Sequence, residues 1–479
     1  MNGELKEKYD VAVIGSGISG LTSALLCAKK GKTVAVFEQS GIIAPLLSGF
    51  SRNGVHFDTG FHYSGVLGQD EVGGYMFRQL GLDIAVEPCD SDGYDEMHLL
   101  SSGRTFKMPS GRARLEQKLT EFFPQEKEGI KKYLDLTQNI INGVPFLNFH
   151  KKSFADEELF RFFDDKKTLS DVLNEHFKSE ELKSLFSFSS VLYGTPPSEI
   201  AFLLHCCCSG IMFDSAWKIK GGMKVFVEAL KKALRDAGVE IFTNKKAQSI
   251  TVENADLKTV GFADGSKAQC RICISSIHPK EFIKIAPQES YRDKNSQRIM
   301  NMRETEGFFA LYGILKEPLQ SEAINNAAFV NFDDFKKDHK DFMYINFSGS
   351  RPQAVCAVLS VDSDEKSWNL CEKDYQEKKK RVGEKIKAAL RLNWPELAEK
   401  IIYADSATPR TFKKYVNYYG SYGIMHSVGQ ANILPLTKIP GLFVVGQAVV
   451  APGLVGAMVS SFLLDKMMQR HEKGGQAVA

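Results

Sequence analysis

Apolar residues near the N-terminus fall into two alternating rhythms. The unbroken run Tyr9 to Ile14 (YDVAVI) predicts a buried parallel strand. Ile18, Leu21, Ala24, Leu25 and Ala28 then recur at helical spacing, with Lys29 and Lys30 in the last turn and Gly31 as the stop. Thr33 to Phe37 (TVAVF) predicts a second strand that ends at Glu38. Toward the other end, Leu442 to Val445 predicts another short strand. The helix after it, from about Leu454, is apolar on nearly every face and is therefore expected to be buried.

Residues 110–215 have a helical rhythm, with amphipathic pieces at Gly111 to Phe123 and at Ser153 to Asp165. Acids on the polar face of the second piece favour packing against other helices over binding to anionic lipid. Phe186 to Phe213 is the most apolar stretch, and Pro196-Pro197 divides it into two pieces too short to span a membrane. It is suited either to lining a lipophilic tunnel or to burying a joint between domains.

The 479 residues are enough for about three domain-sized units. Hydrophobic residues at 43% and charged residues at 25% exclude a disordered, collagen-like or disulfide-framework protein. A net charge of +3 lacks the basic footprint of a nucleic-acid binder, so no nucleic-acid partner is expected. The runs Glu377 to Arg381 and Phe335 to Asp341 suit solvated helix faces.

The nine cysteines are scattered apart from Cys206, Cys207 and Cys208, and Cys270-Arg-Ile-Cys273 has no second CxxC to complete a zinc site. Buried free thiols and no metal are expected. The polar start MNGELKEKYD resembles neither a signal nor a transit peptide, and no apolar run is long enough to span a bilayer. A cytoplasmic location follows as an expectation, with peripheral contact to a membrane surface as the alternative.

Chemistry enters at Gly15-Ser16-Gly17-Ile18-Ser19-Gly20, which sits between the first predicted strand and helix. Gly15 allows the tight turn, Gly17 lets a pyrophosphate approach the backbone, and Gly20 lets helix and strand pack closely. Glu38, 18 residues past Gly20, is placed to accept ribose hydroxyls. The unit is common to NAD-binding and FAD-binding folds and does not choose between them.

Two further stretches narrow the choice. Glu38 to Gly65, with its segment RNGVHFDTGFHYSG, and Pro440 to Ser461 (PGLFVVGQAVVAPGLVGAMVSS) resemble the FAD-dependent phytoene desaturase, carotenoid isomerase and retinol saturase superfamily, whose flavoprotein fold is amine-oxidase-like. Weaker similarities keep family order at Lys220 to Met223, Gly238 to Ile250, Arg271 to Pro279 and Thr408 to Val416.

The resemblance implies an α/β protein. A discontinuous Rossmann-like FAD-binding domain with a mainly parallel sheet would occupy residues 1–66, 216–285 and 436–479. An inserted α+β substrate domain would occupy 67–109 and 286–435, and a helical subdomain 110–215. It also implies FAD contacts at Gly15 to Gly20, Glu38, Gln39, Asp58, Thr59, Gly60, Ala247, Gly446, Gln447, Gly453, Val455, Gly456 and Ala457. The implied reaction is hydride exchange between flavin N5 and a carbon–carbon bond of a lipophilic polyene or isoprenoid-like substrate, as in a saturase, desaturase or isomerase. A second GxGxxG after a strand is absent, so a diffusible electron donor or acceptor is expected.

His62, Tyr63 and His426 are the candidate acid and base groups, because they flank the implied flavin segments. One departure from the family pattern falls at Ala44-Pro45, where members commonly carry Gly-Gly. Proline lacks an amide hydrogen and restricts the residue before it, so the loop either binds the cofactor less well or stands away from it. The second option keeps a flavin-free prenyl-binding module of Rab-escort or GDP-dissociation-inhibitor type as a rival. An amine-oxidising flavoenzyme is the other.

Overall fold

The computed structural model describes residues 5–90, 92–152, 154, 166–254, 257–317, 326–330, 343–348, 354–430 and 433–472. The amphipathic piece at Ser153 to Asp165 and the run Phe335 to Asp341 lie almost entirely outside them.

The strand predicted at Tyr9 to Ile14 forms as Lys8–Ile14, with every residue from Val11 to Ile14 buried. It is central to a seven-stranded sheet, pairing in parallel with Val34–Phe37 on one side and Lys267–Ser275 on the other. Glu240–Phe242 extends the parallel arrangement beyond Val34–Phe37, and Leu442–Val444 pairs in parallel with Lys267–Ser275. Ala247–Asn254 and Leu257–Phe262 complete the sheet as an antiparallel edge. Three separated stretches of chain therefore build one α/β layer. Helices Ile18–Ala28 and Gly453–Glu472 pack side by side on it, joined where Ser461 Oγ donates to Ser19 O at 2.7 Å.

A second seven-stranded sheet runs in the order Ile401–Ala407, Gly307–Leu315, Ala354–Val361, Met343–Ser348, Asn326–Val330, Asp95–Leu99, Arg104–Met108. Its pairings are antiparallel except for Asn326–Val330 with Asp95–Leu99. The strand GFFALYGIL is covered on both faces, which is why its sequence shows no clean alternation. Phe309 and Leu311 pack in a cluster with Trp368, Ile386 and Leu390, whereas Phe308, Ala310 and Tyr312 face a large internal cavity.

The 110–215 region is helical where described, including Arg112–Phe122, Lys127–Gly143, Leu169–His176 and Glu180–Ser187. Glu377 to Arg381 lies on the helix Glu372–Asn393, whose middle is largely solvated, as its charge pattern predicts. Among the described residues, no helix is long and apolar enough to cross a membrane.

Among the described residues, the phenylalanines mostly serve packing. Phe57, Phe123, Phe226, Phe282 and Phe309 are among the largest fully buried side chains. Phe37, Phe61, Phe146, Phe308 and Phe412 reach the cavity.

Candidate functional site: a cavity between the two sheets and the helical layer

A cavity of about 450 Å³ lies where both sheets meet the helical region. That is within the usual range for a small-molecule site. Gly15 to Ser19 form one wall. Gly15 has φ +96°, and a Cβ on Gly20 would lie 2.3 Å from Gly15 O, so the turn and the first helix pack backbone to backbone. Gly20 thus serves packing and does not itself line the cavity. Gly17 caps the helix without a side-chain bond, and a Cβ there would meet open space. The free first-turn amides and the positive helix end therefore face the cavity. Because the helix Gly453–Glu472 packs alongside, its N-terminal residues Gly453, Val455, Gly456 and Ala457 line the same space. A Cβ on Gly456 would lie 2.3 Å from Ala451 O.

Glu38 is nearly fully buried. Its Oε2 accepts from Ser16 N at 2.9 Å and Ser16 Oγ at 2.7 Å, and its Oε1 accepts from Ser40 N at 2.8 Å. A carboxylate has about four acceptor sites, so one remains for a ligand hydroxyl. Beyond its expected role, Glu38 holds the glycine turn in shape. Gln39, Ala247, Gly446 and Gln447 line the same end of the cavity. The Gln447 amide donates to Tyr422 O at 2.6 Å, and Gln39 Oε1 accepts from Asn417 at 3.0 Å.

The Ala44-Pro45 loop does not stand away. Both residues line the cavity with Leu46 and Leu47. Ala44 adopts φ +51°, the left-handed conformation a glycine takes freely, and its N–H donates to Ser16 Oγ at 3.1 Å. Ala44 thus holds this left-handed backbone at a cost of about 1 kcal/mol in strain.

Asp58 faces away from the cavity, contrary to the expected cofactor contact. Its neighbours Thr59 and Gly60 line the cavity, while Asp58 Oδ1 accepts from Met223 N at 3.2 Å at the start of the helix Gly222–Asp236. Thr59 Oγ1 donates to Leu46 O at 3.0 Å, and a Cβ on Gly60 would lie 2.2 Å from the same oxygen. The 58–60 turn is therefore tied to the Ala44-Pro45 loop.

Of the candidate acids and bases, His62 and Tyr63 line the cavity and His426 does not. The Nε2–H of His426 donates to Gln447 O at 2.9 Å, so this ring fixes the backbone beside the cavity from behind. Burial pushes the His62 imidazole down to about 4 and keeps it neutral near pH 7. Tyr63 Oη donates to Asp95 Oδ2 at 2.7 Å, and burial holds its phenol well above the usual range.

Asp95 and Tyr344, both in the second sheet, were not singled out from sequence. The nearest sequence signal for Asp95 is an acid inside an otherwise strand-like run, DEMHL. Tyr344 has none, because its position depends on strand pairing.

The charged residues among the described cavity lining are Glu38, Lys245, Lys246 and Glu281. Lys245 N donates to Glu38 O at 2.8 Å, and the helix carrying Glu281 packs on the Ala247–Asn254 strand. All four thus gather at the dinucleotide end. The opposite end is walled by Phe308, Ala310, Tyr312, Cys356 and Val358, together with Leu192, Ile211 and Met212. Part of the Phe186 to Phe213 stretch therefore lines the cavity. Among the described residues, no group of His, Cys, Asp and Glu could hold a metal ion.

Two helix starts on one cavity, a glycine turn braced by a buried glutamate and a long apolar extension together suit a dinucleotide whose reactive ring meets an apolar substrate. They define a flavin-dependent oxidoreductase. The chain belongs to the flavin containing amine oxidoreductase family, which matches residues 18–461, and FAD is its cofactor. It is similar to all-trans-retinol 13,14-reductase of Rattus norvegicus, with 27% identity over 95% of this chain and 85% of that protein. Chloroplastic prolycopene isomerase of Daucus carota is 25% identical over 94% of this chain and 79% of that protein. The lycopene-forming phytoene desaturase of Pantoea ananas is 22% identical over 85% and 87%, respectively. In fold, the chain is similar to wild-type putrescine oxidase bound to putrescine, with a TM-score of 0.67 and 15% identity over 96% of this chain and 99% of that one.

Proposed function

We propose that the protein is an FAD-dependent oxidoreductase acting on a carbon–carbon bond of a lipophilic polyene, as a saturase, desaturase or isomerase. The observation that carries this reading is the division of the cavity into a charged dinucleotide end and an apolar end walled by Phe308, Ala310, Tyr312 and Val358. An extended hydrocarbon loses water from its whole length on entering such a space, at about 25 cal/mol per Å² of apolar surface. A small cationic amine would find no carboxylate among the described residues lining that end. The names of the retinol reductase, prolycopene isomerase and phytoene desaturase relatives support the same substrate class.

In this reading the Gly15 to Ser19 amides hold the pyrophosphate, Glu38 holds the adenosine ribose, and Ala247 presents its backbone to the adenine. Gly446 and Gln447 lie along the ribityl chain, and Val455 to Ala457 present helix amides to the electron-rich edge of the ring. When bound, FAD supplies a site that accepts or donates a hydride. The chain contributes a dry pocket, orientation of the polyene against the ring, and control of the accompanying proton. A diffusible donor or acceptor exchanges electrons with the site, and the apolar substrate is drawn from a membrane surface or a carrier.

The test incubates the purified holoprotein anaerobically, once oxidised and once dithionite-reduced, with all-trans-retinol, a cis-lycopene and a panel of amines, with product analysis. Conversion of a polyene is the expected result. Oxidation of an amine by the oxidised enzyme, with every polyene unchanged, overturns the reading.

A further inference from the structure

We propose that Tyr63 and Asp95 form a proton-delivering pair for the cavity, with Tyr63 as the catalytic donor and Asp95 as the residue that positions and recharges it. This rests on the polyene reading above. Asp95 begins the strand Asp95–Leu99 and is only 1% exposed. Its Oδ2 accepts from Tyr63 Oη at 2.7 Å, while its Oδ1 is buried without a hydrogen-bond partner. Beside this pair, the hydroxyl of Tyr344 is also buried and unpartnered, and both tyrosines line the cavity. Two unpaired buried polar atoms next to an ionisable pair are costly in a site that serves packing alone. A mobile proton and an incoming substrate provide a use for them.

The surroundings fix the resting state. Tyr63, Tyr94, Tyr344, Cys89 and Asn326 face Asp95, and none carries a positive charge. The Asn326 amide donates to Tyr94 O at 3.0 Å, and its carbonyl accepts from Asn346 at 2.7 Å. Lys218, Glu87 and Asp90 act on Cys89. Burial raises the Asp95 carboxyl to about 7, against the lowering pull of the neighbouring Tyr63 hydroxyl and Asn326 amide. A large fraction of molecules at neutral pH therefore hold a proton on Asp95, which then donates across the 2.7 Å contact and frees the Tyr63 hydroxyl to donate into the cavity.

Saturating a double bond requires one hydride and one proton. The two-electron reductant, reduced flavin, provides the hydride pair for one new C–H bond. The π pair takes the Tyr63 Oη proton to form the other, as the Asp95 proton moves to Tyr63. Asp95 is left as a carboxylate and regains its proton from solvent. Desaturation runs the same transfers in reverse.

The experiment compares wild type, Tyr63→Phe and Asp95→Asn as dithionite-reduced holoproteins in single turnover with all-trans-retinol and a cis-lycopene across pH. Flavin content and substrate affinity are measured alongside, and pH-difference infrared spectroscopy follows the protonated carboxyl band without substrate. Tyr63→Phe is expected to keep flavin and affinity and to lose about 10²-fold or more in rate. Asp95→Asn is expected to lose both the titration near pH 7 and the carboxyl band. Wild-type rates within threefold in Tyr63→Phe overturn the pair, as does persistence of the band and of the pH limb in Asp95→Asn. Tyr63→Phe decides the matter even where Asp95→Asn does not fold. Absence of any wild-type polyene conversion overturns the substrate reading instead, so the two failures are distinct.

Discussion

Replacing Asp95 by Asn removes an ionisable group from the interior with little change of shape, because an amide oxygen can still accept from Tyr63. The wild-type carboxyl is raised from 3.8 to about 7, chiefly by burial. A carboxyl raised on folding contributes its full stability below the unfolded value and loses it as pH climbs through the folded value. Fully expressed, the gap amounts to about 4 kcal/mol, of which about 2–3 kcal/mol falls between pH 5 and pH 8. Unfolding entropy of about 2.1 cal/mol/K per residue gives about 1 kcal/mol/K for the whole chain, so the effect on the melting midpoint is about 2–3 °C. Thermal unfolding of both holoproteins, followed by near-UV circular dichroism at pH 5 and pH 8, provides the comparison. Groups other than Asp95 titrate in both proteins and cancel. The wild type is expected to lose about 2–3 °C more than Asp95→Asn on going from pH 5 to pH 8. Parallel pH dependence, within about 0.5 °C, would refute the assignment of a raised carboxyl to Asp95.

Other consequences are equally direct. Gly20→Ala places a Cβ against backbone at 2.3 Å, so the first helix must shift from the turn. It is expected to cost about 1–3 kcal/mol and to lower the ratio of flavin to protein absorbance after purification. Glu38→Ala strips the acceptor from Ser16 N, Ser16 Oγ and Ser40 N, and is expected to destabilise by about 2–5 kcal/mol and to yield colourless protein. Flavin retention at the wild-type ratio would contradict either expectation. Cys371 is the one exposed cysteine, and burial pushes the half-buried Cys208 up to about 12. One fast-reacting thiol is therefore expected with a disulfide reagent on the native protein, and several would show that the helical layer opens readily.

The glycine turn, its flanking strands and helix, and the apolar C-terminal helix were legible in the sequence because short-range physics sets them. A strand rhythm, a turn that only glycine fits and a helical rhythm occupy neighbouring residues, and the linear order carries the whole unit. Gly15 to Ser19, Glu38 and Val455 to Ala457 accordingly meet on one cavity. Side-chain direction was less legible. Asp58 and His426 lie one step behind the wall, because each is drawn to a backbone partner, Met223 N and Gln447 O, that only the folded chain brings beside it.

The substrate end was decided by tertiary structure. Asp95 meets Tyr63 and lies near Tyr344 only because Asp95–Leu99 pairs with Asn326–Val330, which pairs in turn with Met343–Ser348. Strand pairing over such separations is set by which faces can be buried together. A strand apolar on both faces, such as Gly307–Leu315, does not reveal in its own letters which face will look into the cavity. The sequence determined the glycine turn and the two helix starts that meet at the cavity. The fold decided what stands opposite them, because the burial that raises Asp95 and walls the cavity exists only once distant strands have closed around it.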